Sequence, residues 1–512
     1  MKQTNFSRTV SVILGTVLLL LTMLSALSGC GQKPDDTTST TTTGTQGDAA
    51  TTANTATDTE AVTTTAPSHG IPELDYTGKT VTILGWKDAD FDEFNADTQT
   101  GDLFNDAKYT RNLKIEEEFG VDLIYDRSIN GNVDNAGTFI SHITNSLNAD
   151  AHDFDIIAGY SQTMCTLSST GMLYNLLDTA YLDFETAWWP QNMLEEFTIA
   201  NKLCICSGDI APTTLYMLYG MFYNKDMIEE FKLEDPHQLV VNNQWTQEKF
   251  FELCAGTYAD LNGDAQKNLG DRFGYMTGTL HLDPWFYSIG AKIVENDESG
   301  SLIISPTLTS EKTVSTIEAL QKLLFASSDA LLSDNVASAT PTFHLEAFAA
   351  NQVLFTTEAA YRAIQYFNTE GLTYGVLPMP KYNAEQEEFV SLLRNTVTLF
   401  AIPFNTKDPD MISAIMQAYA FYGKQEIVPA VFEQTLKLKY SDTELDAQMY
   451  DIIRSSLTFD IGRFYAKVLI GQGDFRTSVS QNTGGWASKM RALEKPLTKS
   501  LSTLEEAFSN MK

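Results

Sequence analysis

Five cysteines in 512 residues are too few for a disulfide scaffold. Cys204 and Cys206 lie two apart in a strand-like run, Lys202 to Ser207, so they share a face and do not bridge each other. With Cys165 and Cys254 they read as buried free thiols; a Cys206–Cys254 or a Cys165–Cys204 bridge stays open as the alternative. Basic residues are also scarce. Thirty-four Lys and Arg stand against 66 Asp and Glu, a formal net charge of -32. That surface repels phosphate backbones and anionic headgroups, which excludes nucleic acid as a partner and suits neutral or cationic small ligands. Catalytic signatures are missing too. His69, His142, His152, His237, His281 and His344 show no His-Glu-x-x-His spacing. There is no Gly-x-Ser-x-Gly elbow and no phosphate-binding Gly-x-x-x-x-Gly-Lys-Ser/Thr loop. Carboxylate pairs abound, but an acidic composition guarantees them, so they argue little for a glycosidase. The chain reads as a non-enzyme that requires no cofactor. Internal repeats are absent, and no Pro/Gly/Ser-rich linker follows Ile71, which favours two lobes threaded by several crossings over separate beads.

What is present begins at the amino terminus. Lys2 and Arg8 precede an apolar run, Val10 to Leu24, that ends in Leu27-Ser28-Gly29-Cys30. A basic head, an apolar middle and a small-residue exit describe a secretory signal. Residues 31–70 hold no aromatic and one large aliphatic, Val62, so they cannot bury enough surface to offset ordering and read as a Thr-rich linker. The ending Leu-Ser-Gly-Cys resembles the lipobox of bacterial lipoproteins, which implies lipidation at Cys30. The expected location is then the outer face of a Gram-positive cell membrane, with Cys30 as the anchor.

Folded sequence starts near Ile71. The runs 81–85, 121–125 and 154–158 read as strands, separated by helices over 102–119, closed by Gly120, and 136–147. Such alternation predicts parallel βαβ units, an α/β fold. Further strands are expected over 202–207, 216–223, 353–357, 374–377 and 396–400. Helices are expected over 225–231, 246–259, 310–326, 411–421 and 444–453.

Several segments together resemble a known family: Val81-Thr-Ile-Leu-Gly-Trp86, Phe154-Asp-Ile-Ile-Ala-Gly159, Leu218 to Met227, Gln244 to Phe251, Asn351 to Thr357, Tyr374 to Lys381, and Val397 to Pro403. The most specific are Tyr223-Asn-Lys-Asp226 and Leu377-Pro-Met-Pro-Lys381. In order and spacing the chain is similar to the extracellular solute-binding proteins of ABC importers, in the group of maltose- and oligosaccharide-binding proteins. The resemblance implies a two-lobed, type II periplasmic-binding-protein-like α/β fold, lobe 1 being 71–215 and 404–445 and lobe 2 being 216–403 and 446–512. Crossings are expected near Tyr216–Tyr223 and Thr396–Pro403, with a third around Tyr440–Leu457. It also implies a monomer that closes on a small solute and docks to ABC permease subunits.

Sugars offer hydroxyls and flat C–H faces, so their sites need aromatic platforms and planar polar groups. Residues at the expected strand ends meet that need: Trp86 and Asp88; Tyr160, Ser161 and Gln162; Asp209; Trp285; and Glu358, Tyr361 and Arg362. Each aromatic among them also fits plain core packing. Trp188, Trp189 and Trp245 read as structural. A second motif, Asp260, Asn262, Asp264, Gln266, Asn268 and Asp271, resembles an EF-hand calcium loop, except that position six is Ala265 and position twelve is aspartate. A structural calcium site and a solvated acidic turn stand side by side as readings.

Three functions compete: a capture subunit that imports a carbohydrate, a non-transporting surface glycan-binding lipoprotein, and a secreted glycan hydrolase. The first is favoured by the resemblance, the last least.

Overall fold

The computed structural model describes residues 68–439, 443–469 and 473–511. The expected signal, Cys30 and nearly all of the linker lie outside them. The described residues hold eleven strands: β1 Lys79–Leu84, β2 Val121–Asp126, β3 Ile156–Tyr160, β4 Tyr219–Asn224, β5 Phe273–Thr277, β6 Val294–Asn296, β7 Leu302–Ile304, β8 Ala330–Leu332, β9 Val353–Ala359, β10 Tyr374–Leu377 and β11 Thr398–Ala401. They make two principal sheets and a small hairpin. The first sheet has the order β11-β3-β1-β2 and the second β10-β4-β9-β5-β8, while β6 pairs β7 alone.

In the first sheet β1 runs parallel to β2 and β3, as the βαβ pattern predicts, and β11 closes one edge antiparallel to β3. In the second sheet β9, β5 and β8 are parallel, and β4 and β10 are antiparallel. Every residue of β3, β4, β5 and β9 is buried, which fits strands covered by helices on both faces. Helix Leu103–Phe119 shows how local sequence sets a boundary. Asp102 accepts the Asn105 N–H at its start, and Gly120 ends it at φ 69°, a left-handed turn that suits glycine. That helix packs on β2 and on helix Pro409–Tyr422, while helix Glu444–Ser455 packs on β10.

Three chain segments cross between the sheets and pair with one another. Tyr219 N–H donates to Leu392 O (3.0 Å) and Arg394 N–H to Met217 O (2.8 Å). On the other side Ser391 N–H donates to Ser456 O and Thr458 N–H to Ser391 O, both at 2.9 Å. Strand β11 therefore belongs to the first sheet, and the second crossing lies at Ser391–Arg394, upstream of Thr396–Pro403. The two layers stay close, and the folded chain is one compact unit. Two further corrections concern strands. Lys202–Ser207 makes only isolated bridges, at Lys202 and Cys206, because its backbone hugs the edge of β11 without a continuing ladder. The fully buried β5 and the short β8 carry no alternation that would have announced them. Cys165, Cys204, Cys206 and Cys254 are all buried free thiols.

Candidate functional site

Strands β1 and β3 on one side, and β5 and β9 on the other, deliver their carboxyl ends to a common junction beside the crossing segments. Ligand sites of open α/β sheets form at such ends. From the first sheet come Trp86, the loop Asp88–Phe94, and Tyr160-Ser161-Gln162. From the second come His281 and Asp283 after β5, and Glu358, Tyr361 and Arg362 at the end of β9. Arg394 and Asn395 arrive from the crossing.

The two ends touch. Tyr361 OH donates to Asp90 O (3.1 Å), its ring lies 5.0 Å from Phe91 and 5.8 Å from Tyr216, and Arg362 stands 3.5 Å from the Asp90 carboxylate. Gln162 Nε2 donates to Arg463 O (3.3 Å), and Ser161 Oγ donates to Asn395 O (2.6 Å). Trp86 is buried, donates to Thr398 Oγ1 (3.3 Å) and meets Tyr160 edge to face at 5.4 Å. The sequence-predicted Trp86, Tyr160, Ser161, Gln162, Glu358, Tyr361 and Arg362 are thus brought together.

Three others are not. Trp285 is fully buried: its N–H donates to Tyr275 OH (3.0 Å) and its ring packs on Phe250 and Phe251. It is a core residue, and the expectation of a stacking platform there is corrected. Asp88 is spent on the neighbouring loop that follows β2, accepting from Gly131 N–H (2.6 Å), Asn132 N–H (3.1 Å) and Asn135 Nδ2 (3.0 Å). Asp209 pairs with Arg454 (2.8 Å) and Lys424 (3.5 Å) and lines a cavity of about 600 Å³ with Trp188 and Phe432, against Leu393 and Leu457 of the crossings. Trp189 and Trp245 are structural as expected, donating to Gln417 Oε1 and Pro378 O.

Charge is concentrated on the second sheet's side. Glu358, 2% exposed, points Oε2 at His281 Nε2 (3.2 Å) and His344 Nε2 (3.4 Å), and its Oε1 accepts Ala359 N–H and lies 3.9 Å from Arg394 Nη1. Burial alone would raise this carboxyl; His281, Arg394 and His344 outweigh it and hold it at about 2. Burial pushes His281 down to about 4 against the pull of Glu358, so the imidazole is neutral at pH 7. Nearby, Asp283 takes both Arg463 (3.1 Å) and Arg476 (2.6 Å). Sequence reasoning missed His281, His344, Asp283, Arg394, Arg463 and Arg476, since nothing in their spacing signals that the sheet gathers them.

Several polar atoms here are buried without a hydrogen bond: Arg394 Nη1, Asn395 Oδ1, Arg463 Nε, and both ring nitrogens of His344. Each such atom costs about 1–3 kcal/mol unless a partner arrives. Others of this kind lie elsewhere among the described residues, Arg111 Nη1, Glu196 Oε2 and Gln247 Nε2 for instance, but these five come from the segments that meet at the junction.

The Asp260–Asp271 loop stands apart. Asp260 accepts from Gly263 and Ala265 N–H, Asp264 accepts from Gln266 N–H and from Asn268 Nδ2, and Asp271 accepts from Tyr258 OH and Asn268 N–H. Ala265 takes φ 57°, the left-handed value that glycine supplies at that position of EF-hand loops.

Residues 131–427 match the model of a family described as bacterial extracellular solute-binding protein, more than half of the chain. The chain belongs to this family. Such proteins are exported and bind small solutes, and neither the family nor its structural relatives are enzymes. Among solved structures the chain resembles a cyclo/maltodextrin-binding protein complexed with maltotetraose, at 13% identity and a TM-score of 0.53, over 85% of this chain and 100% of that one. That likeness establishes a shared two-lobed fold. The apo form of RafE from Streptococcus pneumoniae is also similar, at 15% identity and a TM-score of 0.49, over 86% of this chain and 99% of that one. No curated protein matches the chain significantly.

Proposed function

We propose that this solute-binding protein is the membrane-anchored capture subunit of an ABC importer and that its solute is a carbohydrate. The observation that carries the reading is the junction itself: two sheets joined by three mutually paired crossings, with their strand ends meeting through Tyr361, Phe91 and a set of buried unpartnered polar atoms. Paired crossing strands can bend as a hinge while each sheet stays rigid. Aromatic faces suit the C–H planes of a sugar ring, and Arg394 Nη1 and Asn395 Oδ1 suit its hydroxyls. A solute touching both sides would stabilise the closed state by its differential affinity for it. The fold shared with a maltodextrin-binding protein supports a sugar as the guest. Cys30 as a lipid anchor, and ABC permease subunits as partners, complete the proposal, with the protein acting as a monomer.

A thermal-shift screen over mono- and oligosaccharides, followed by calorimetry on any positive, tests it. The expected result is saturable one-to-one binding of one sugar class without turnover. Glycan cleavage, or no sugar binding at all, would contradict it. Calcium in the Asp260–Asp271 loop belongs to the same proposal as a structural ion, and a calcium titration with neither heat nor thermal shift would remove it.

A further inference from the structure

At the end of β9 three side chains from distant parts of the chain converge. His281 follows β5, His344 lies on helix Phe343–Ala349, and Glu358 is in β9. All three are buried, and their ligand atoms lie within 4.8 Å of one another; among the described residues no other group of three His, Cys, Asp or Glu does so. We infer that His281, His344 and Glu358 form a binding site for a divalent transition metal of the zinc class. The inference does not depend on which solute the junction takes.

The distances carry it. Glu358 Oε2 is 3.2 Å from His281 Nε2 and 3.4 Å from His344 Nε2. The second exceeds the usual range of an N–H···O hydrogen bond. Both match the edge of a tetrahedron around zinc, roughly 3.3 Å when the bonds are about 2.0–2.1 Å. The two imidazoles approach tilted by 43° with centroids 4.9 Å apart, so they converge without stacking.

The surroundings are arranged for the same end. His344 is 1% exposed and neither of its nitrogens has a hydrogen-bond partner, an arrangement that costs about 1–3 kcal/mol and that one metal bond would relieve in part. His281 Nδ1 faces Tyr219 OH at 3.4 Å, the kind of outer contact that fixes the orientation of a ligating imidazole. The carboxylate divides its oxygens. Oε1 is taken by Ala359 N–H (2.7 Å) and faces Arg394, which leaves Oε2 for the two imidazoles. Two histidines and one carboxylate suit zinc, cobalt or nickel better than calcium or magnesium, which prefer all-oxygen sets. Three protein donors leave one tetrahedral position for water or a solute oxygen.

The test uses the whole protein without added sugar. Chelator-stripped protein is equilibrated with zinc, desalted and analysed for metal, and a parallel sample is loaded with cobalt and read by visible absorption. About one equivalent of zinc and the intense bands of four-coordinate cobalt are expected. His344→Gln and Glu358→Gln are expected to weaken metal binding on the order of 100-fold, while His142→Gln leaves it unchanged. Negligible zinc in the unaltered protein, or uptake that both variants leave intact, overturns the site. The unaltered protein alone decides the first point, so a variant that fails to fold does not shield the inference.

Discussion

The strand ends of the two sheets use their polar side chains in opposite ways. At the first sheet the acids are spent on the protein itself: Asp88 ties three donors of the loop after β2, and Glu93 accepts from Thr213 N–H and Oγ1 and from Thr398 Oγ1. At the second sheet and the crossing, Arg394, Asn395 and His344 keep buried atoms without hydrogen bonds. The first end keeps one such atom, Arg111 Nη1 beside Glu93, and the second keeps several. The lesson is that a receiving site shows itself less by which residues it holds than by which of their atoms the fold leaves unanswered.

Substitutions break or sharpen that contrast. Trp285→Ala removes a core ring, and it should cost about 3–5 kcal/mol in chemical denaturation with little effect on solute affinity of the folded protein. A loss of affinity without loss of stability would move Trp285 back to the site. Arg394→Ala is expected to weaken solute binding by roughly 30- to 100-fold, about 2–3 kcal/mol, in calorimetry, with a smaller change in melting temperature. Asp88→Ala should do the reverse, lowering stability by about 2 kcal/mol and leaving affinity nearly untouched, since it strands loop donors that no ligand meets. Equal effects of these two on both measurements would erase the difference between the ends. Tyr361→Ala, at the contact between them, should reduce affinity about five- to tenfold. Smallest of all, Ala265→Gly should raise stability by about 0.5–1 kcal/mol by relieving a left-handed alanine, read as a rise in denaturation midpoint.

Much of the fold was legible because its signals are local. Asp102 and Gly120 bracket their helix, Asn224 caps Lys225–Phe231, and Thr246 caps Gln247–Cys254, as spacing and residue type predict. The helix expected to 326 passes at Lys322 into a π-helical stretch, which no capping residue announces. The expected first crossing, Tyr216–Tyr223, contains the paired Met217 and Tyr219, whereas β11 joins the first sheet and not the second, because an antiparallel edge strand reads like any other apolar run. In the candidate site, position at a strand end points to Tyr361 and Glu358, which the structure places at the junction. It misjudged Trp285, whose helix turns the ring inward on Phe250 and Phe251. His281 and His344 were invisible, being 63 residues apart and joined only by the packing of their elements around β9. The acidic loop shows the opposite case, a pattern conspicuous in the sequence itself, in which Asp264 accepts from Asn268 Nδ2 and Asp271 from Tyr258 OH and Asn268 N–H.

Closure of the two ends on a sugar is tested most directly by a distance across the junction. Spin labels at exposed Thr98, beside the first sheet's loop, and exposed Leu280, after β5, report it by pulsed electron resonance, the four cysteines of the folded part being buried. With a sugar that the screen identifies, the distribution should become narrower and shift to shorter distance, and Arg394→Ala should prevent the shift at the same sugar concentration. A distribution identical with and without bound sugar would contradict capture between the two sheets.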